Sequence, residues 1–358
     1  MSVIDNSKLF LPRYRSYRGR LIIASCASAL ELARNINKVY QDGIESKNSR
    51  KKFQKLIDPP IDKQFLDGEV VVRLDEHVRG ADAYLIANLN DHDLNGSVND
   101  NLQAFLDGIR AFKQYGAAHV TGVIPYHIYA RQDKATNRKR EPITVGLIAR
   151  QIIEAGASQI VTWHPHCELQ GYYGTTMVDS LDALSLFHNE FSRFKGRSDV
   201  ILVAPDAGAF KFVVELADKL NLASAVAAKV RPQPGTAKIS YILGEFTDKR
   251  IAIVIDDMID SAGTMFALIQ RLATEYPQIE EFYIGASHNL CQEPAFERLS
   301  SLCTDYRLMG VTVTNSIPQT QKFLGLPNFH VRCLSKQLAL VINRIHYDES
   351  VSVLSEIE

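Results

Sequence analysis

Short apolar runs alternate with longer stretches in which apolar positions recur every third or fourth residue, along nearly the whole chain. The runs Leu21–Ser25, Val70–Leu74, Ala83–Ala87, Val120–Ile124, Ile160–Trp163, Val200–Ala204, Ser224–Ala228, Ile251–Ile255, Glu281–Ala286 and Arg307–Thr314 predict strands. Most are continuously apolar and rich in Val and Ile, the pattern of strands covered on both faces. Between them, the spacing predicts helices that include Asn101–Tyr115, Val145–Ala155, Lys211–Lys219 and Thr264–Glu275. Strands alternating with helices imply parallel sheets with right-handed crossovers, an α/β architecture. Two such sheets follow one another, with the boundary expected in the polar stretch His188–Ser198. The polar segments Gln41–Pro60 and Asn88–Asp100 read as surface loops.

Composition narrows the class. The 358 residues suffice for two domains, each burying its own core. A formal net charge of -1 gives no global field that would draw the chain to nucleic acid or membrane, so any bound anion needs a local site. Cys26, Cys167, Cys291, Cys303 and Cys333 are scattered without paired spacing, which suits reduced thiols rather than a disulfide framework. The start of the chain has no apolar stretch followed by a cleavage site, and no apolar run is long enough to span a bilayer. A cytoplasmic protein is expected.

The sharpest chemical signal is the strand Ile251–Ile255 running into Asp256 and Asp257, followed by Asp260, Ser261, Ala262, Gly263 and Thr264 at the start of a helix. Open α/β sheets place ligands at the carboxyl ends of their parallel strands. The small residues of the turn can present backbone N–H groups and hydroxyls to an anion, while the paired aspartates suit sugar hydroxyls or a phosphate-bound magnesium. A helix start merely capped by Asp and Ser is the plainer alternative.

This string resembles the phosphoribosyl pyrophosphate motif shared by phosphoribosyltransferases and ribose-phosphate diphosphokinases. Further segments resemble the diphosphokinases in particular: Phe65–Glu69, Val123–Asp133, Ala204–Gly208, Lys229–Pro232, Thr314–Pro318 and Glu349–Ser352. They occur in the family's order from Phe65 onward, and simple base-exchange transferases have no counterpart to the N-terminal half. The resemblance implies two tandem phosphoribosyltransferase-like α/β domains, each a mainly parallel sheet flanked by helices. An ATP-side domain is expected over 1–187, a ribose 5-phosphate domain over 188–340, and a tail over 341–358 packing back on the first.

By the same resemblance, Phe65 stacks on adenine, Asp67 and Glu69 bond its edge, and Arg131 and Gln132 reach ATP. His166 and Asp206 hold Mg2+. Lys229 and Arg231 belong to a mobile lid over the transferring phosphates. Asp256, Asp257 and the Asp260–Thr264 turn hold ribose 5-phosphate, the substrates binding across the cleft between domains. Arg79, Ser350 and Ser352 resemble parts of a phosphate or ADP regulatory site, and dimers building a homo-hexamer are implied. The residues themselves leave other readings open: a core aromatic at Phe65, a solvated loop charge at Arg131, a surface pair at Lys229 and Arg231, and a structural or zinc-binding cluster at His164, His166 and Cys167.

The sequence departs from the family pattern at three places. His164-Pro165-His166 replaces the usual Asp-Leu-His, and Gln170-Gly171 follows one residue sooner. His77 stands where many members have Ser near the regulatory arginine, and the basic loop Lys134–Arg140 is one residue longer. The expected activity is transfer of diphosphate from ATP to O1 of ribose 5-phosphate. The rivals are a non-catalytic regulatory paralogue that co-assembles with active subunits, and a transferase that consumes the diphosphate sugar.

Overall fold

A computed structural model describes residues 16–45, 54–91, 96–136, 139–230 and 238–354. The chain divides into two compact units, Met1–Leu181 with Cys333–Glu358, and Asp182–Arg332.

The first unit runs β1 (Leu21–Ser25), α1 (Leu30–Glu45), β2 (Gln54–Leu56), β3 (Asp62–Gln64), β4 (Val70–Val72), β5 (Asp82–Ile86), α2 (Val98–Gln114), β6 (His119–Val123), α3 (Thr144–Ala155), β7 (Gln159–Trp163), α4 (Gln170–Tyr173) and β8 (Met177–Leu181). Six strands form a parallel sheet in the order β2-β1-β5-β6-β7-β8. The chain steps outward from β1 to β2, then returns to β5 on the other side of β1. The order of succession therefore reverses between β1 and β5.

In the second unit come α5 (Leu184–Phe191), β9 (Val200–Ala204), α6 (Ala207–Leu220), β10 (Ala223–Val230), β11 (Lys238–Leu243), β12 (Ile251–Ile259), α7 (Gly263–Glu275), β13 (Glu281–Asn289), α8 (Glu293–Asp305), β14 (Leu308–Thr314), α9 (Gln321–Leu324) and β15 (Phe329–Arg332). Their order is β11-β10-β9-β12-β13-β14-β15, parallel except for the β10–β11 pair. Succession reverses here between β9 and β12. The central strands are buried on both faces, which is why they read as uninterrupted Val and Ile runs. Apolar side chains of α7 and α8 close one face with Met265, Leu268, Leu272, Leu299 and Leu302.

The chain then returns to the first unit through α10 (Ser335–His346), which packs on α1. Its attachment is polar as well as apolar. Buried Asp82 accepts hydrogen bonds from Arg18 (3.3 Å) and Tyr84 (3.0 Å) and lies 2.8 Å from His346 Nδ1, while Asn343 donates to Tyr40 (3.1 Å). The whole of α10 is thus grouped with the first unit, ahead of the tail expected from residue 341.

Several expectations need correction. Gln41–Pro60 is not one loop: α1 continues to Glu45, β2 forms the sheet edge, and Ile57 is buried. Its register is set by main-chain pairing with β1, which leaves no apolar alternation to read. Asn88–Asp100 ends in helix, because Ser97 and Asp100 form a reciprocal capping box at the start of α2. Among the described residues, the run at Val70 pairs with β3 alone, in a hairpin outside the main sheet. Strands β2, β3, β8, β11 and β15 carry too many polar or isolated residues to stand out as apolar runs.

Candidate functional site

The second sheet positions the strongest candidate. β9 pairs with β12 only as far as Val203 opposite Val254. On its other side β12 stays paired with β13 through Ile259 opposite Asn289. The strand therefore does not end before the aspartates, as the apolar run suggested. Asp256 and Asp257 are strand residues, held by the β13 ladder and beyond the last partner on the β9 side. A crevice opens at such a point, beyond the carboxyl ends of the strands where the succession reverses.

Asp206 approaches the same place from β9. It is the N-cap of α6, its Oδ1 accepting from the backbone of Gly208 (2.9 Å) and Ala209 (3.4 Å). Burial first, then the charges of Asp257 and Asp206, push the Asp256 carboxyl well above the ordinary carboxylate range. Three acids within electrostatic reach in a half-buried crevice favour a cation or hydroxyl donors that relieve their repulsion. Among the described residues, no three His, Cys, Asp or Glu side chains converge to form a metal site by themselves.

The turn from β12 into α7 is built as the motif predicts in position, but not in capping. The N-cap is Ala262 rather than Asp or Ser, in the left-handed region at φ 56°, and no side-chain cap bond is made to it among the described residues. The buried Ala262 methyl group belongs to the hydrophobic core. Gly263 has no positive φ, and a Cβ there would lie 3.5 Å from Arg298 Nη1 and Ser261 Oγ, an ordinary contact. Among the described residues, nothing demands glycine at this position. Close approach of a ligand to the backbone would demand it.

Behind the turn, Leu290 donates its amide to Ile259 O at 2.9 Å. The Thr314–Pro318 segment knits the neighbouring strand ends: Thr314 Oγ1 and Ser316 Oγ donate to Ser287 O (2.6 and 3.2 Å), and Ser316 Oγ lies 2.8 Å from His288 Nδ1. Those residues are buried, so their part in the site is support. One neighbour was illegible in the sequence. Arg298, 37 residues beyond Ser261, donates from Nη1 to Ser261 O at 2.5 Å. No motif or spacing signals that contact.

In the first unit, Phe65, Asp67 and Glu69 occupy the tip of the β3–β4 hairpin. Phe65 N donates to Glu69 O (2.8 Å), Gly68 makes the turn at φ 94°, and Asp67 Oδ1 accepts from Glu69 N (3.1 Å). Phe65 is 56% exposed and so is not a core aromatic. Arg131 and Gln132 lie on a different element, the loop after β6, and both are exposed. Gln132 Oε1 accepts from Thr144 Oγ1 (2.5 Å) at the first residue of α3. In that loop His127 is buried between Ile128 O (2.9 Å) and Tyr173 OH (2.7 Å), and burial lowers its pKa to about 4. It is neutral at physiological pH and holds the loop as a hydrogen-bonded wedge.

His166 is exposed in the loop after β7, two residues past His164, whose backbone is left-handed at φ 41°. Burial, then the nearby Asp133 and Glu168, push the Cys167 thiol up to about 11. Gln170 is structural: its amide donates to Gly174 O and Thr176 O (3.0 and 3.1 Å) and accepts from Val178 N (3.0 Å). Lys229 lies in β10 beside a register shift at Ala228/Lys229; its backbone alone is described. Arg231 lies outside the described residues.

Arg79, Ser350 and Ser352 are exposed at the amino-terminal end of the first sheet. Arg79 precedes β5 by a short turn, and the C-terminal serines follow α10, whose His346 meets Asp82 at the start of that strand. The two hydroxyls are 2.6 Å apart.

Two mainly parallel α/β sheets, with an acid-flanked small-residue turn at the reversal point of the second, define a protein of the phosphoribosyltransferase type. A family model for the N-terminal domain of ribose phosphate pyrophosphokinase matches residues 21–156, one for the phosphoribosyl transferase domain matches 176–295, and one for the phosphoribosyl synthetase-associated domain matches 237–356. A ribose-phosphate pyrophosphokinase of Caldanaerobacter subterraneus subsp. tengcongensis is 36% identical over 291 residues, covering 81% of this chain and 87% of its own. The Clostridium tetani enzyme of the same name is 34% identical over 298 residues, with the same coverage. The crystal structure of phosphoribosylpyrophosphate synthetase from Mycobacterium smegmatis superposes with a TM-score of 0.74 at 27% identity, covering 92% of this chain and 99% of that one. The chain belongs to the ribose-phosphate pyrophosphokinase family.

Proposed function

We propose that the chain transfers diphosphate from ATP to ribose 5-phosphate, with the 5-phosphate seated on the Ser261–Thr264 turn. The observation that carries this reading is the reversal-point turn: α7 begins there without a side-chain cap, beside two strand-borne aspartates. Backbone N–H groups at a helix start suit a phosphate dianion, and Asp256, Asp257 and Asp260 suit the ring hydroxyls as acceptors. So held, the sugar directs its 1-hydroxyl at the β-phosphorus of ATP. The new O1–P bond forms in line as the bond from the β-phosphorus to the α–β bridging oxygen breaks; AMP departs and the hydroxyl proton is released. Phosphoryl-type transfer of this kind depends mainly on alignment and charge neutralisation, so no side chain is assigned as general base.

Phe65 would stack on adenine, Asp67 and Glu69 would bond its edge, and Arg131 and Gln132 would hold the nucleotide. The exposure of the hairpin tip supports that role. Lys229 and Arg231 would supply positive charge at the transferring phosphates. Asp256, raised first by burial and then by the charges of Asp257 and Asp206, stands among acids that suit a hard divalent ion; Asp206 and His166 would be its protein donors, as the family resemblance implies. Magnesium bound there would supply neutralisation of the diphosphate. A cytoplasmic location, a homo-hexamer built from dimers and a regulatory anion site at Arg79, Ser350 and Ser352 belong to the same proposal. No helix among the described residues is long and apolar enough to cross a membrane. The non-catalytic alternative is not favoured, because the relatives matched over most of their length are named as the pyrophosphokinase.

The test is release of AMP from ATP by purified protein with magnesium, with and without ribose 5-phosphate. AMP and phosphoribosyl pyrophosphate appearing in equal amounts, only with the sugar phosphate, is the expected result. AMP without the sugar, or no binding of the sugar phosphate, would defeat the proposal.

A further inference from the structure

We propose that Arg298 is a positioning residue of the phosphate cradle: by holding Ser261 O, it turns the Ala262 N–H toward the bound 5-phosphate. The inference rests on the functional reading above and adds to it a residue outside the motif.

Arg298 stands on α8, which packs against α7. Its Nη1 reaches Ser261 O at 2.5 Å, a charge-assisted bond. A trans peptide is planar, with its C=O and N–H pointing in opposite directions. Holding the Ser261 carbonyl toward α8 therefore aims the Ala262 N–H away from α8. Ala262 is left-handed, a conformation that residues with a Cβ resist, and its buried methyl group keeps it from being freely replaced by glycine. A conformation disfavoured locally persists when its surroundings hold it, and the guanidinium is a neighbour that does so. An amide before a helix start, followed by those of Gly263 and Thr264, makes the concave set of donors that anions occupy. The same guanidinium lies beside Gly263: its Nη1 and Cζ would be 3.5 and 3.8 Å from a Cβ there. Its positive charge therefore lies against the turn without occupying the position of the phosphate.

The test uses the full chain with Arg298→Met, and with Arg298→Lys, which keeps a cation but not the planar fork. Ribose 5-phosphate binding is measured by calorimetry without nucleotide, and kcat and both KM values by AMP release. Wild type must first bind the sugar phosphate; failure there defeats the functional reading rather than this one. For Arg298→Met we expect KM and Kd for ribose 5-phosphate to rise about tenfold or more, with KM for ATP within a factor of about two. Arg298→Lys should lie between, with an unchanged melting temperature. It carries the test alone if the Met variant does not fold. Unchanged sugar-phosphate affinity in the folded variants would overturn the proposal. So would equal losses for both substrates, which a merely structural role produces.

Discussion

Replacing Gly263 with alanine separates what the fold needs from what the ligand needs. The new Cβ would come no nearer than 3.5 Å to its closest described neighbours, Arg298 Nη1 and Ser261 Oγ, so the native backbone can accept it. Gly263 is the first residue of α7, where alanine lowers the entropy of the unfolded chain and stabilises by about 0.4–1 kcal/mol. For a unit of this size that amounts to a rise of about 1–4 °C in Tm. Binding should move the other way. The methyl group would stand 3.5 Å from Ser261 Oγ, a hydroxyl of the proposed cradle, and crowd the phosphate off it; a hydrogen bond to a charged group is worth about 1.5–3 kcal/mol. That predicts affinity for ribose 5-phosphate lower by about 10- to 150-fold. Differential scanning fluorimetry and calorimetric titration read the two effects separately. Two results would refute the reasoning: wild-type affinity in the variant, which takes the phosphate off this turn, or a fall in Tm of several degrees, which shows that packing required the glycine.

Three other outcomes are expected. Asp256→Asn should raise the Tm of the ligand-free protein above about pH 5 while weakening ribose 5-phosphate binding; the folded-state pKa is raised, so stability is lost as pH rises from the unfolded value near 4, and the neutral amide removes that loss. A variant no more stable than wild type at pH 7 would mean that neither burial nor the neighbouring acids penalise the Asp256 carboxylate. His127 takes up its proton near pH 6.5 when unfolded but only near 4 when folded, so stability falls as pH drops through that window, by about 3 kcal/mol at its end. His127→Gln should flatten the Tm–pH profile between 6.5 and 4, and an unchanged slope would assign the acid sensitivity elsewhere. Lys229→Ala should lose on the order of 10²-fold in kcat with ribose 5-phosphate binding kept; turnover within a factor of a few would remove Lys229 from the transfer step.

What the sequence made legible follows from how each feature is encoded. Central strands buried on both faces announce themselves, because nearly every position is apolar; β1, β9 and the start of β12 are of this kind. Edge strands hide. β8 reads Met177-Val178-Asp179-Ser180-Leu181 and β2 reads Gln54-Lys55-Leu56, and both are strands through main-chain pairing. The paired aspartates were legible as chemistry, but their place inside β12 was not. A strand's end is decided by its neighbours' lengths, and β13 runs on where β9 stops. The capping box at Ser97 and Asp100 was visible in principle, but Asn, Asp and Gly before it made the segment look like loop. Arg298 was beyond reach of local reading, since its partner is a carbonyl 37 residues away.

The two sheets share one connectivity, and comparing them explains why the sugar-phosphate motif occurs in one alone. β1 steps out to β2 as β9 steps out to β10, and β5 returns beside β1 as β12 returns beside β9. Ser25 pairs with Ile86 at the end of the β1–β5 ladder. By the same register, Ala204 stands level with Ile255, so Ala87 and Asn88 occupy the places that Asp256 and Asp257 hold in the second sheet. Both are buried, and Asn88 is turned inward, donating to Ser28 O at 3.1 Å. Near the first reversal point, Asp62 of the β3 hairpin takes the Ala27 amide at 2.6 Å. One backbone donor at the turn is thus already held by an internal carboxylate, and no acid stands at 87 or 88 to receive hydroxyls or a cation. The second sheet places acids at the equivalent positions and leaves them half-buried. An arrangement that raises Asp256 is a cost to the empty fold, and it is retained where a ligand relieves it. On the proposed reading, the same architecture serves as packed scaffold at one reversal point and as binding crevice at the other, the two acids at the end of β12 and the turn amide held by Asp62 in the first sheet marking the difference.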